Sequence, residues 1–136
     1  MYYVTYAKPK KISNKLMDNI VVFAYDFLNI EEIIEIDFDD DFEDRGGYCD
    51  FTEDEIIIGI NPKQTIAEII RTLFHEMVHV KQYVRGQLLH NDDDTSMWNG
   101  RECDLPYWER PWEKEAYEYE DAMWDIFSRE VLSKMT

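Results

Sequence analysis

The period of the hydrophobic positions changes several times along the chain, and each change marks an element. Residues 2–6 (YYVTY) alternate loosely, which predicts a first strand or arm, and the KPKK run after them predicts a turn. From Ser13 onward, apolar residues fall at Leu16, Met17, Ile20, Val21, Ala24, Phe27 and Leu28. That is the spacing of a helix burying one face, with Ser13 placed to cap it. Ile33 to Phe38 is rich in β-branched residues and predicts a strand. An acidic loop over residues 39–47 follows, closed by Gly46 and Gly47.

Two further strands are predicted at Tyr48–Thr52 and Glu55–Ile60, joined through Glu53-Asp54 as a hairpin. Thr65-Ile66-Ala67-Glu68 then has the form of a capping box, so a helix starts there. It runs to about Arg85, where Gly86 provides a stop. Residues 87–110 hold no steady period and include Asp92-Asp93-Asp94, Gly100 and Pro106; they predict an irregular segment. Pro111 suits the first turn of a last helix with an apolar stripe at Trp112, Ala116, Tyr119, Met123, Ile126 and Phe127. No repeat or linker divides the chain, so residues 1–136 form one domain, and the order of elements predicts an α+β fold.

Composition narrows the partners. The chain carries 30 acidic against 14 basic side chains, a net charge of −16. Such a field repels nucleic-acid phosphates and anionic membranes and favours a basic protein or peptide, although much of it simply keeps a small protein in solution. The first residues lack the pattern of a secretory signal, and no apolar run is long enough to span a membrane, so a cytoplasmic protein is expected. Cys49 and Cys103 form no C-x-x-C pair; they are expected to stay reduced in that compartment. The composition says nothing about oligomeric state.

The chemistry concentrates in His75-Glu76-Met77-Val78-His79. Histidines four apart share one face of a helix, so both imidazoles can reach one divalent ion, and Glu76 lies beside that face without being a ligand. A zinc ion there lowers the pKa of its water from about 16 to about 7, and Glu76 can accept the proton as the water attacks a carbonyl. Two ordinary, partly buried histidines are the bland alternative. The chain holds only three histidines in all, and leucine or isoleucine would serve a buried helix better at both places. A catalytic zinc also needs a third protein ligand and an open position. Downstream, His90 and the carboxylates of PWEKEAY are the suppliers; periodicity alone does not choose among Glu113, Glu115 and Glu120.

HEMVH followed by E-x-x-A on a second helix resembles the gluzincin peptidases. The run HEMVHVKQYVRG, the Trp98-Asn99-Gly100 segment and PWEKEAY are also similar to small uncharacterised metallopeptidase-like proteins of bacteriophage and bacteria, over residues 65–120. The resemblance implies a minimal zincin-like fold: an N-terminal helix and small twisted sheet behind the HEMVH helix, closed by the C-terminal helix. It implies one zinc ion held by His75, His79 and Glu113, with Glu76 as general base of a zinc endopeptidase, acting in the host cytoplasm if the chain is phage-encoded. His90 is the rival third ligand, by likeness to the SprT-like proteins. Larger gluzincins often carry an acid or amide after the small residue, to orient a ligating histidine; Tyr117 stands there instead, with a role beside a histidine or in stabilising the oxyanion.

Tyr107, Tyr83 and His90 are further oxyanion candidates, and an edge strand, Tyr48–Thr52 or Ile56–Ile60, is expected to hold an extended peptide. Trp98, Tyr107, Trp108 and Trp112 are expected to pack the irregular segment against the core more than to wall a pocket. Asp92–Asp94 lacks calcium-loop spacing and is expected to be solvated. Two other functions compete: a catalytically silent, zinc-stabilised acidic decoy for a basic partner, and a hydrolase of cell-wall peptides.

Overall fold

The computed structural model describes residues 3–39, 46–91 and 95–135. Within them the architecture is α+β. Strand β1 (Tyr3–Tyr6) leads to helix α1 (Asn14–Leu28), strands β2 (Ile34–Phe38), β3 (Gly47–Phe51) and β4 (Ile56–Ile60), and helix α2 (Ile66–Val84). Three short strands follow, β5 (Leu88–His90), β6 (Ser96–Trp98) and β7 (Arg101–Cys103). A 3-10 turn at Tyr107–Glu109 then enters helix α3 (Pro111–Glu130), and another turn, Leu132–Lys134, ends the chain.

The first four strands form one sheet in the order β1-β2-β4-β3. The β1–β2 and β2–β4 pairs are parallel, and β3 pairs antiparallel with β4. Strand β3 is therefore an edge, and β4 lies inside the sheet. Ile34, Ile36 and Phe38 alternate with half-buried Glu35 and Asp37 along β2. Register places Ile36 beside Ile58 and Phe38 beside Ile60, so these side chains make one apolar face. That face joins the stripes of all three long helices in a single core. Phe23, Phe74 and Phe127, one from each helix, meet with ring centroids 5.3–5.5 Å apart.

Local chemistry sets the helix ends. Ser13 Oγ accepts from the Leu16 N–H at 3.0 Å, and Asn29 closes α1 in the left-handed region at φ 53°. At α2, Thr65 Oγ1 accepts from the Glu68 N–H while Glu68 accepts from the Thr65 N–H, which completes the capping box. Gly86, at φ 70°, follows its end.

Three expectations need correction. On α1, Phe27 is 36% exposed at the edge of the helix layer, against Phe23 and Tyr119, whereas Tyr25 is buried because its hydroxyl donates to Glu32 O at 2.8 Å. Ile33 is 71% exposed and lies outside β2. Residues 87–110 are largely regular: β5, β6 and β7 form a three-stranded antiparallel meander. Strands of three residues are too short to show a period of two. Of the acidic loop expected over 39–47, residues 40–45 lie outside the described residues, as do residues 92–94, and Gly47 already belongs to β3. Cys49 on β3 and Cys103 on β7 are both free thiols. Among the described residues, no helix is long and apolar enough to cross a membrane.

Candidate metal centre

Helix α2 carries His75 and His79 on one face, and its pairing with α3 buries that face. Glu113 enters from the first turn of α3, where Pro111 sets the start of the helix. The three side chains converge. Glu113 Oε1 lies 3.0 Å from His75 Nε2 and 3.1 Å from His79 Nε2. All three residues are buried. Ligand atoms about 2.0–2.2 Å from a tetrahedral ion stand about 3.3 Å apart, so an ion needs only slight spreading to enter. A buried His-His-Glu group of this form can hold a metal ion.

The outward nitrogens of both rings are also fixed. His75 Nδ1 lies 3.1 Å from Glu120 Oε1, and Glu120 Oε2 in turn accepts from Arg71 Nε at 2.8 Å. Arg71 also pairs with Asp121. His79 Nδ1 lies 2.8 Å from Gln82 Oε1. The Gln82 amide nitrogen donates to Trp112 O at 3.0 Å and Glu115 Oε1 at 3.2 Å, which leaves its oxygen to face the imidazole. With Nδ1–H donating outward on each ring, the two Nε2 lone pairs are available to an ion.

Without a metal, protons take the ion's place. Burial alone would lower the His75 imidazole, but hydrogen bonds to Glu113 and Glu120 outweigh it and lift it to about 9. His79 is raised in the same way by Glu113 and Gln82 against its burial. Burial would raise Glu113, yet its bonds to both histidines hold it at about 2. In the metal-free protein, both imidazoles therefore donate through Nε2 to the same carboxylate oxygen.

Glu76 is buried next to the cluster and lines the cleft without joining the ligand group. Burial raises its carboxyl, with the two histidines pulling the other way. Cys49 faces it from β3; burial and the Glu76 charge push that thiol up, so it stays protonated.

A cleft of about 440 Å³ opens over these groups. Edge strand β3 forms one wall and comes close to α2 because Gly47 has no side chain. A Cβ there would stand 2.6 Å from Gly59 O and 2.8 Å from Thr72 Cγ2. Phe51 stacks on Tyr83 at 4.0 Å between centroids, so Tyr83 supports the strand. The opposite wall comes from Leu88, His90, Tyr107, Arg110 and Trp112.

Of the expected site residues, His75, His79, Glu113 and Glu76 come together as described. His90 lines the cleft but stays outside the ligand group, its Nδ1 bonded to Ser96 Oγ at 3.0 Å. Tyr117 is 49% exposed; its ring packs edge-on to His75 at 4.4 Å between centroids, and its hydroxyl bonds Tyr107 at 3.2 Å rather than a ring nitrogen. The carboxylate beside His75 comes instead from Glu120, one turn further along α3. Tyr107 and Trp112 wall the cleft, contrary to a purely packing role, while Trp108 is 74% exposed.

The orienting roles of Glu120, Arg71 and Gln82 were missed in the sequence. Their spacing contained a signal: Arg71, His75 and His79 recur every four residues on α2, and Glu120 lies seven after Glu113 on α3. Arg110 had no such signal. The chain matches no protein-family model, no curated protein and no solved structure.

Proposed function

We propose that this protein is a zinc-dependent endopeptidase in which His75, His79 and Glu113 hold the ion and Glu76 is the general base. The observation that carries this reading is the donor set: three buried ligand atoms converge, and the outer nitrogen of each imidazole faces a side-chain oxygen, Glu120 Oε1 or Gln82 Oε1, which turns its Nε2 toward the shared site. Two histidines and one carboxylate suit zinc and leave a position open toward the cleft. When bound, zinc supplies Lewis acidity and a water made acidic enough to lose its proton near neutral pH.

The protein's own groups supply the rest. Glu76 receives the proton of the attacking water and returns it to the departing amine. Edge strand β3 offers unpaired backbone groups to an extended peptide, which holds the scissile carbonyl over the cleft. Tyr117 and Tyr107 form a hydroxyl pair at the rim, with Tyr107 in the cleft beside Glu113; this pair donates to the developing oxyanion. Replacing Tyr107 with Phe should lower kcat by about 10²–10³-fold with zinc retained, and unchanged kcat would remove the pair from the mechanism.

Metal analysis after zinc loading, combined with cleavage of an unfolded protein, tests the reading as a whole. One zinc per chain is expected, and Glu76→Gln should keep the ion while slowing cleavage by about 10²–10⁴-fold. A chain that takes up no zinc, or a Gln variant that cleaves at the wild-type rate, overturns it.

A further inference from the structure

Arg110 breaks the charge pattern of the molecule. The chain has more than two acidic side chains for each basic one, and Arg71 and Arg129 both sit in ion pairs with carboxylates. Arg110 lines the cleft, yet among the described residues no carboxylate pairs with it. Its Nε donates to Leu105 O at 3.0 Å, which ties down one edge of the guanidinium. Tyr107 and Trp112 flank it, with ring centroids 6.0 and 5.9 Å from the guanidinium carbon. Among the described residues, its two terminal amino groups have no protein acceptor and stand as a fork.

The charge inside the cleft points the same way. A divalent ion on the His-His-Glu group is balanced by Glu113 and Glu76, so among the described residues of the lining Arg110 is the charge left over. A planar fork held by a backbone bond and two rings matches a carboxylate, which takes two parallel hydrogen bonds from it.

We infer that Arg110 is a specificity residue that selects peptides presenting a carboxylate on the side of the cleft formed by Tyr107 and Trp112. This rests on the peptidase reading and names its substrate class: the overall field is strongly negative, yet the cleft itself takes an acidic group. The carboxylate belongs either to an acidic side chain or to the peptide's own C-terminus, and both present the same chemistry to the fork.

The test is calorimetric titration of the full chain carrying Glu76→Gln, zinc-loaded, with short peptides matched in length. One peptide ends in a free carboxylate, one in an amide, and one in an amide with a single glutamate beside it. At least one carboxylate-bearing peptide should bind about tenfold or more tighter than the neutral amide, and which one does so identifies the source. Adding Arg110→Gln should abolish that preference, so that all three peptides bind this variant alike; Arg110→Lys should restore only part of it. Arg110 makes no side-chain cap to α3, so these variants leave the helix start intact. Equal binding of all three peptides overturns the inference. So does a preference that survives Arg110→Gln, since the carboxylate is then going to the ion. Failure of the peptidase reading looks different: zinc is not taken up, or the wild-type chain cleaves nothing, while peptide binding to the cleft stays measurable.

Discussion

Besides edge strand β3, two walls line the cleft, and they are built in opposite ways. One is the α2–α3 pair, in which buried His75, His79, Gln82 and Glu113 are tied together by hydrogen bonds on both sides of each ring, with Glu76 buried beside them. The other is the stretch from β5 to the 3-10 turn before α3, where Leu88 is the one buried side chain among the described residues and Leu89, Leu105, Tyr107 and Trp108 are exposed. The first wall is costly to disturb, because removing one partner strands another polar group out of water. The second tolerates change, because little apolar area is lost with any one side chain. The contrast separates two tasks. The reacting groups need fixed geometry, while the wall that meets the substrate needs only the right surface, carried on short strands.

The largest break in this contrast should come from Glu113→Ala. It removes the carboxylate to which both imidazoles point, so zinc uptake should fall to background and any cleavage with it; metal analysis of the purified variant checks this. Near-wild-type zinc content would mean that another group, such as His90, completes the site.

Glu120→Gln should act next, since it weakens the orientation of His75 without touching the ligand set. Zinc affinity should drop by about 10–100-fold, measured by competition with a chelator, while one ion per chain still binds at saturation. A variant with unchanged affinity would make Glu120 a purely structural partner of Arg71.

A pH series on the metal-free chain probes the same wall by its protons. His75 is lifted from an ordinary 6.5 to about 9, so its contribution to stability is complete below about 6.5 and is lost as pH rises through about 9. Glu113 is held at about 2 against 4.5, so its contribution is complete above about 4.5 and is lost as pH falls through about 2. Thermal melts in chelator should therefore show Tm highest between those limits and declining toward alkaline pH. Saturating zinc should flatten the alkaline decline, because the ion replaces the extra protons. An alkaline slope equal with and without zinc would contradict the arrangement.

Trp108→Ala should do least. The side chain is 74% exposed on the tolerant wall, so stability should change by no more than about 0.5 kcal/mol in denaturant unfolding. A loss of several kcal/mol would show that this wall is more tightly coupled to the core than its exposure indicates.

How far the fold could be read depended on element length. Helices α1, α2 and α3 span enough turns for the 3.6-residue stripe to repeat, and Ser13, Thr65 and Pro111 mark their starts within the local sequence. Even there, the stripe on α1 did not settle whether Tyr25 or Phe27 would be buried, since that depends on the angle at which the helix meets the sheet. The β5–β6–β7 meander could not be read at all, because its ladders need partners from along the chain and each strand offers only three residues.

Residue identity and spacing by themselves determined the α+β class, the placement of His75 and His79 on one helical face, and Glu76 beside them, because these follow from helix geometry within a few residues. They also brought forward Glu113 together with its rivals. Only the tertiary structure decided that Glu113 Oε1 reaches both rings, that Glu120 and Gln82 hold the far nitrogens, and that Arg110 lines the cleft with no carboxylate partner among the described residues. Those relations join atoms as much as 45 residues apart. Their distances depend on how α3 packs across α2, and no local pattern encodes that crossing.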